Sequence, residues 1–278
     1  MTSSFKPVVA TLLAAGLVSC AEVTGSGSFW ADTADCPQAA DFLDVSGAAP
    51  AGVPAAPALS VWCDGDAVIV HSNGIPNFDF DQVTPNSLSE QDHEWVLPRE
   101  PVMASRTTDI PLGGASAVAV NGLPIFGPTE APFHGYRDPY LDNMLDYCNG
   151  HTAPGGVYHF HARPDCLFEN AAGQTGLVIG YAFDGIPILA PWICEDDTCE
   201  EVTHLSSGYR QVEANYGATI ENAWDAHTYD PNASPLDACN GMTLADGRYA
   251  YFATDTFPYL MGCYVGEVEG DNMAGGGF

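Results

Sequence analysis

One passage of this chain is written twice, and a chain that repeats itself has few folds open to it. Residues 119–128 (AVNGLPIFGP) match 182–191 (AFDGIPILAP), 145–150 (LDYCNG) match 236–241 (LDACNG), and 156–161 (GVYHFH) match 247–252 (GRYAYF). The order is the same each time: hairpin, insertion, cysteine turn, aromatic strand, cysteine. Asn121-Gly122 and Asp184-Gly185 are hairpin dipeptides because both residue types tolerate positive φ. Asn121, Asp184 and the similarly placed Asn73 therefore read as turn chemistry. The aromatic runs suit a pleated surface. The pattern predicts a mainly β fold: a single β-rich domain over residues 29–265, built from two related halves at about 115–166 and 178–263, with few short helices.

Short strands are also expected at residues 59–62 and 67–70, with a turn at 71–76. The Ala/Pro-rich stretch 50–57 reads as an extended connector, and 39–43 as one helical turn. The second half carries a longer, acidic insertion, residues 195–235, with His204 and His227; residues 213–227 show partial helical spacing through Ala214, Ile220, Ala223 and Trp224. The Gly-rich, acidic stretch 266–278 reads as a disordered tail.

Lys6 precedes an apolar run over residues 7–18, a signal-peptide core too short to anchor a chain across a bilayer. The run ends Leu17-Val18-Ser19-Cys20, which looks like a bacterial lipobox. Residues 1–19 are then a lipoprotein signal peptide, Cys20 the lipidated first residue, and residues 20–28 a flexible tether. The expected location is a bacterial membrane, with the domain facing the periplasm or the cell exterior and touching lipid only through its N-terminus. Eight further cysteines suit four disulfides in an oxidising compartment. Many pairings are open, and the sequential one is simplest: Cys36–Cys63, Cys148–Cys166, Cys194–Cys199 and Cys239–Cys263. Thiolate metal ligation is the alternative, and CxxC pairs, its usual mark, are absent.

Lys6 is the only lysine, and 7 basic residues face 36 acidic ones for a net charge of −29. So acidic a surface repels nucleic acid and anionic lipid and attracts cations. It equally suits solubility in a salty medium. Schiff-base chemistry has no lysine to use in the mature chain. GxSxG, HExxH, P-loop and dinucleotide patterns are absent.

The chemistry gathers in residues 148–166 (CNGHTAPGGVYHFHARPDC), which hold three of the eight histidines. Side chains alternate along a strand, so His159 and His161 face one way and Tyr158 and Phe160 the other. Two imidazoles on one pleated face make half of a metal site. His151, ahead of the Pro154-Gly155-Gly156 turn, can fold back with a third nitrogen, and a disulfide across the loop lowers the cost of ordering it. His134 is the first choice for a fourth ligand, with His71 or a carboxylate such as Asp184 behind it. Imidazoles without thiolates suit a transition metal, copper or zinc. The many carboxylates admit calcium elsewhere, although no EF-hand run exists. In the second half the aromatic positions persist as Tyr249 and Tyr251, whereas His151, His159 and His161 are matched by Met242, Ala250 and Phe252. Apolar residues are thus tolerated at the matching places.

Tyr158-His159-Phe160-His161, with residues 119–128, 181–188 (YAFDGIPI), 236–241 and 257–263 (FPYLMGC), resembles the YHYH-domain family over about residues 71–264. Phe160 stands where the family motif has its second tyrosine. The resemblance implies a secreted β-rich domain with metal-binding capacity and no particular reaction. Three functional readings follow. The first is an exported lipoprotein with a histidine metal site, used for metal handling or redox work. The second is a metal-dependent hydrolase, in which zinc brings the pKa of bound water to about 7 and a carboxylate acts as base. The third is a non-catalytic cell-surface module whose histidines only hydrogen-bond. A metal ion is the expected partner; the sequence points to no protein partner.

Overall fold

The computed structural model describes residues 27–212 and 222–268, together with Asn272. The signal peptide, Cys20, most of the tether, residues 213–221 of the helical pattern and most of the tail lie outside the described residues.

Strands β1 (Ser28–Ala31), β2 (Ala58–Asp64), β3 (Ala67–Ser72) and β4 (His93–Pro98) form a four-stranded sheet in that order. β1 runs parallel to β2, and the other pairs are antiparallel. Gly65, at φ 58°, closes the β2–β3 turn. Asn73-Gly74 does not close a tight hairpin. The Asn73 carboxamide accepts from Ala58 N at 2.9 Å and donates to Ala56 O at 2.9 Å, which ties it to the connector before β2. The chain returns to the sheet only at His93. The helical turn expected at 39–43 is a 3-10 turn, Pro37–Asp41.

The rest of the chain supplies β5 (Met103–Asp109), β6 (Ala115–Ala119), β7 (Pro124–Phe126), β8 (Gly150–Thr152), β9 (Tyr158–Phe160), β10 (Val178–Ala182), β11 (Pro187–Leu189), β12 (Trp192–Cys194), β13 (Val202–His204), β14 (Tyr209–Gln211), β15 (His227–Tyr229), β16 (Gly241–Thr243), β17 (Tyr249–Phe252) and β18 (Cys263–Gly266). Eight of these form one sheet, ordered β16-β17-β11-β10-β6-β7-β9-β8. At its middle Ala117, Val118 and Ala119 of β6 face Ala182, Tyr181 and Gly180 of β10 in antiparallel register. Moving outward, each side has a hairpin strand (β7 or β11), an aromatic strand parallel to it (β9 or β17), and a short antiparallel edge strand (β8 or β16). β6 is buried along its whole length, as a central strand covered on both faces must be. Three two-stranded ribbons complete the fold: β12–β13, β14–β15 and β5–β18.

The protein is mainly β and carries four disulfides, Cys36–Cys63, Cys148–Cys166, Cys194–Cys199 and Cys239–Cys263. Within the region read as tail, Gly266 belongs to β18 and Asn272 exchanges two hydrogen bonds with the backbone of Val96. No helix among the described residues is long and apolar enough to cross a membrane.

Candidate metal centre

Asp146 arranges the approach to the histidines. Its Oδ1 accepts the N–H groups of Cys148 at 2.9 Å and Gly150 at 3.1 Å, and its Oδ2 accepts the Tyr158 hydroxyl at 2.8 Å. Burial raises the Asp146 carboxyl above its usual pKa, and these three donors oppose that rise. A side chain at Gly150 would strike the Tyr158 hydroxyl and the His159 carbonyl, so the close pairing of β8 and β9 requires glycine there. Asn149, at φ 63°, donates Nδ2 to Arg163 O at 2.7 Å, and its own carbonyl accepts from His161 N at 3.0 Å. Gly155 and Gly156 turn the chain back at positive φ. The outcome is a register in which His151 lies directly opposite His159.

Tyr158 and Phe160 point into the core, where Phe78 packs against both rings at 5.6 and 6.2 Å between centroids. The histidines occupy the other face. Nε2 of His159 lies 2.9 Å from Nε2 of His161, which lies 3.2 Å from Nε2 of His151. Phe126 stacks on His159 at 3.9 Å. The three imidazoles are 3%, 1% and 1% exposed for His151, His159 and His161.

Each ring is oriented from behind. Nδ1 of His151 meets Met144 O at 3.0 Å, Nδ1 of His159 meets Val157 O at 3.2 Å, and Nδ1 of His161 meets Gly127 O at 2.7 Å. A carbonyl only accepts, so each Nδ1 carries a proton, and Nε2 of each ring is turned inward toward the others. Burial, and then the neighbouring imidazoles, hold His159 well below its usual pKa and bring His161 down to about 3. His159 and His161 therefore turn neutral Nε2 lone pairs toward each other and toward Nε2 of His151. Ligating histidines commonly have this second-shell pattern.

The 2.9 and 3.2 Å spacings fit adjacent ligands of one ion. Two nitrogens each about 2.05 Å from one metal stand about 2.9 Å apart at a right angle and about 3.3 Å apart at the tetrahedral angle. Among the described residues, this is the one group of three or more His, Cys, Asp or Glu side chains whose ligand atoms all lie within 4.8 Å of one another. An all-nitrogen set does not suit calcium, which takes oxygen ligands.

The other nominated residues lie elsewhere. His134 is exposed on the 3-10 turn Pro132–His134 and packs beside Phe133. His71 is half exposed and pairs with Asp92 at 2.7 Å. Asp184 is buried, where it accepts the Tyr251 hydroxyl at 2.6 Å and the backbone N–H of Gly266 and Ile186. One neighbour was not nominated: Glu130, 7% exposed, places Oε2 3.2 Å from His151 Nε2.

A family profile described as YHYH protein matches residues 94–266, which takes in every strand of the eight-stranded sheet. No curated protein and no solved structure matches the chain. The match spans more than half of the sequence and contains the histidine cluster with its orienting carbonyls, and on that ground this chain belongs to the YHYH family.

Proposed function

We propose that this protein is an exported lipoprotein whose His151, His159 and His161 hold one transition-metal ion, copper or zinc, for metal handling or redox work. The observation that carries the reading is the set of three Nδ1–H groups turned to backbone carbonyls, which aims three Nε2 atoms inward at one another. A shared proton is disfavoured by the same burial that depresses His159 and His161. Zinc and copper both accept imidazole sets of this size. Burial of the cluster favours holding an ion over hydrolysis, because a catalytic metal keeps a coordination position open to substrate. The lipobox at Cys20 and the four disulfides support an oxidising, membrane-tethered location, and the charge of −29 argues against nucleic-acid binding.

The test is elemental analysis of the full chain, exported and purified, beside His159→Ala/His161→Ala. One equivalent of copper or zinc in the parent and none in the variant is the expected result. A parent that stays empty after incubation with both metals would refute the proposal and leave the non-catalytic surface module.

A further inference from the structure

We infer that Glu130 is the fourth ligand, so that the ion is held by three imidazoles and one carboxylate. The inference rests on the metal reading above and goes beyond it by closing the coordination sphere.

Glu130 follows β7 and is almost fully buried. Its Oε1 accepts the backbone N–H of Ala131 at 3.0 Å, which fixes the carboxylate plane. Its Oε2 has no hydrogen-bond partner and lies 3.2 Å from His151 Nε2. The gap is one that adjacent ligands of one ion would span, about 2.9–3.4 Å. A buried carboxylate oxygen without a donor is strongly unfavourable. An ion shared with the histidines removes that penalty.

The repeated sequence supplies an independent observation. Continued two residues further, the match between 119–128 and 182–191 sets Glu130 opposite Ile193. Ile193 and Met242 pack against a small buried apolar cluster of Leu189, Leu205, Leu236, Ala250 and Phe252. β16 and β17 hold that cluster in the same register as β8 and β9 hold the histidines: Met242 faces Ala250 as His151 faces His159. The polar groups at one edge of the sheet and the apolar groups at the other therefore exchange as a set. Glu130, His151, His159 and His161 stand against Ile193, Met242, Ala250 and Phe252. A carboxylate that merely capped the loop after β7 would have no reason to change together with three histidines on other strands.

The consequence is a site filled by protein ligands, the arrangement of an ion that is kept rather than one that receives a substrate. The test titrates the metal-free full chain, purified in detergent with its disulfides intact, with Co(II) as a spectroscopic probe. The parent is expected to bind one equivalent with a ligand-field spectrum. Glu130→Gln, nearly isosteric, is expected to weaken binding at least about 10-fold and to change that spectrum. An unchanged affinity and spectrum would overturn the role of Glu130 and leave the histidine triad standing; a parent that binds no metal would overturn the triad itself. A second measurement needs no variant. Pulsed electron paramagnetic resonance of the Cu(II)-loaded parent in heavy water should show no directly bound exchangeable water, and a strongly coupled deuteron would refute the closed sphere.

Discussion

Metal-free protein should lose stability steeply as pH falls below about 6.5, and the loss should shrink when His159→Ala and His161→Phe copy the matching residues Ala250 and Phe252. In the folded chain His161 titrates at about 3, against 6.5 for a free imidazole, because burial penalises its charged form. Between those values the unfolded chain binds a proton that the folded chain does not. Stability is therefore complete above the unfolded pKa and falls with pH, by about 1.4 kcal/mol per unit. Across the whole window this comes to roughly 5 kcal/mol from His161 alone, a large part of an ordinary domain's stability. His159 is displaced in the same direction and adds to the fall. Other groups titrate as well: half-buried His93, lowered to about 4, and His227, also lowered, have the same sign, and buried Asp138, raised to about 6, has the opposite one, as do Asp146 and Asp184, raised by burial. All are present in parent and variant, so the difference between the two proteins isolates the cluster. Guanidinium unfolding followed by tryptophan fluorescence, with a chelator present, from neutral pH to about pH 4 gives that difference. Equal pH slopes for parent and variant would refute the assignment of His159 and His161 as buried neutral imidazoles.

Adding the metal at about 100 times its Kd should stabilise the folded chain by about 2.7 kcal/mol, seen as a rise in Tm that a chelator reverses. Tyr158→Phe removes the hydroxyl that reaches Asp146 Oδ2 at 2.8 Å and leaves a buried oxygen without its donor. It should cost about 1–3 kcal/mol in the denaturation midpoint. Cys148→Ala with Cys166→Ala opens a loop of sequence separation 18 and should cost about 3 kcal/mol in the metal-free protein. Phe160→Tyr writes the family tetrad in full, yet it should destabilise by about 1–3 kcal/mol, because its ring is fully buried among aromatic neighbours. The matching Tyr251 hydroxyl has Asp184 at 2.6 Å, whereas Asn121, the match of Asp184, already donates to Asn77 at 2.9 Å. Adding Asn121→Asp should recover part of that loss in the same unfolding assay.

Much of this protein is legible in its residues because the forces involved are local. The alternation of Tyr158, His159, Phe160 and His161 follows from the two-residue period of a strand, whatever the strand packs against. Turns at Asn121-Gly122 and Asp184-Gly185 follow from backbone freedom at those positions. Sequential disulfides close short loops, with separations of 27, 18, 5 and 24 residues. The same local rule misleads at Asn73-Gly74, where side-chain bonds to the connector before β2 override the hairpin signal. It also puts His134 first for a fourth ligand, on its nearness along the chain to the histidine strand, whereas that residue is exposed on the Pro132–His134 turn. Tertiary structure alone brings β6 against β10, sets β7 beside β9, and so delivers Gly127 O to His161 and the Glu130 carboxylate to His151. Those contacts depend on which strands share a sheet. That is settled by burying the apolar faces of the whole chain together, so no window of neighbouring residues contains the information.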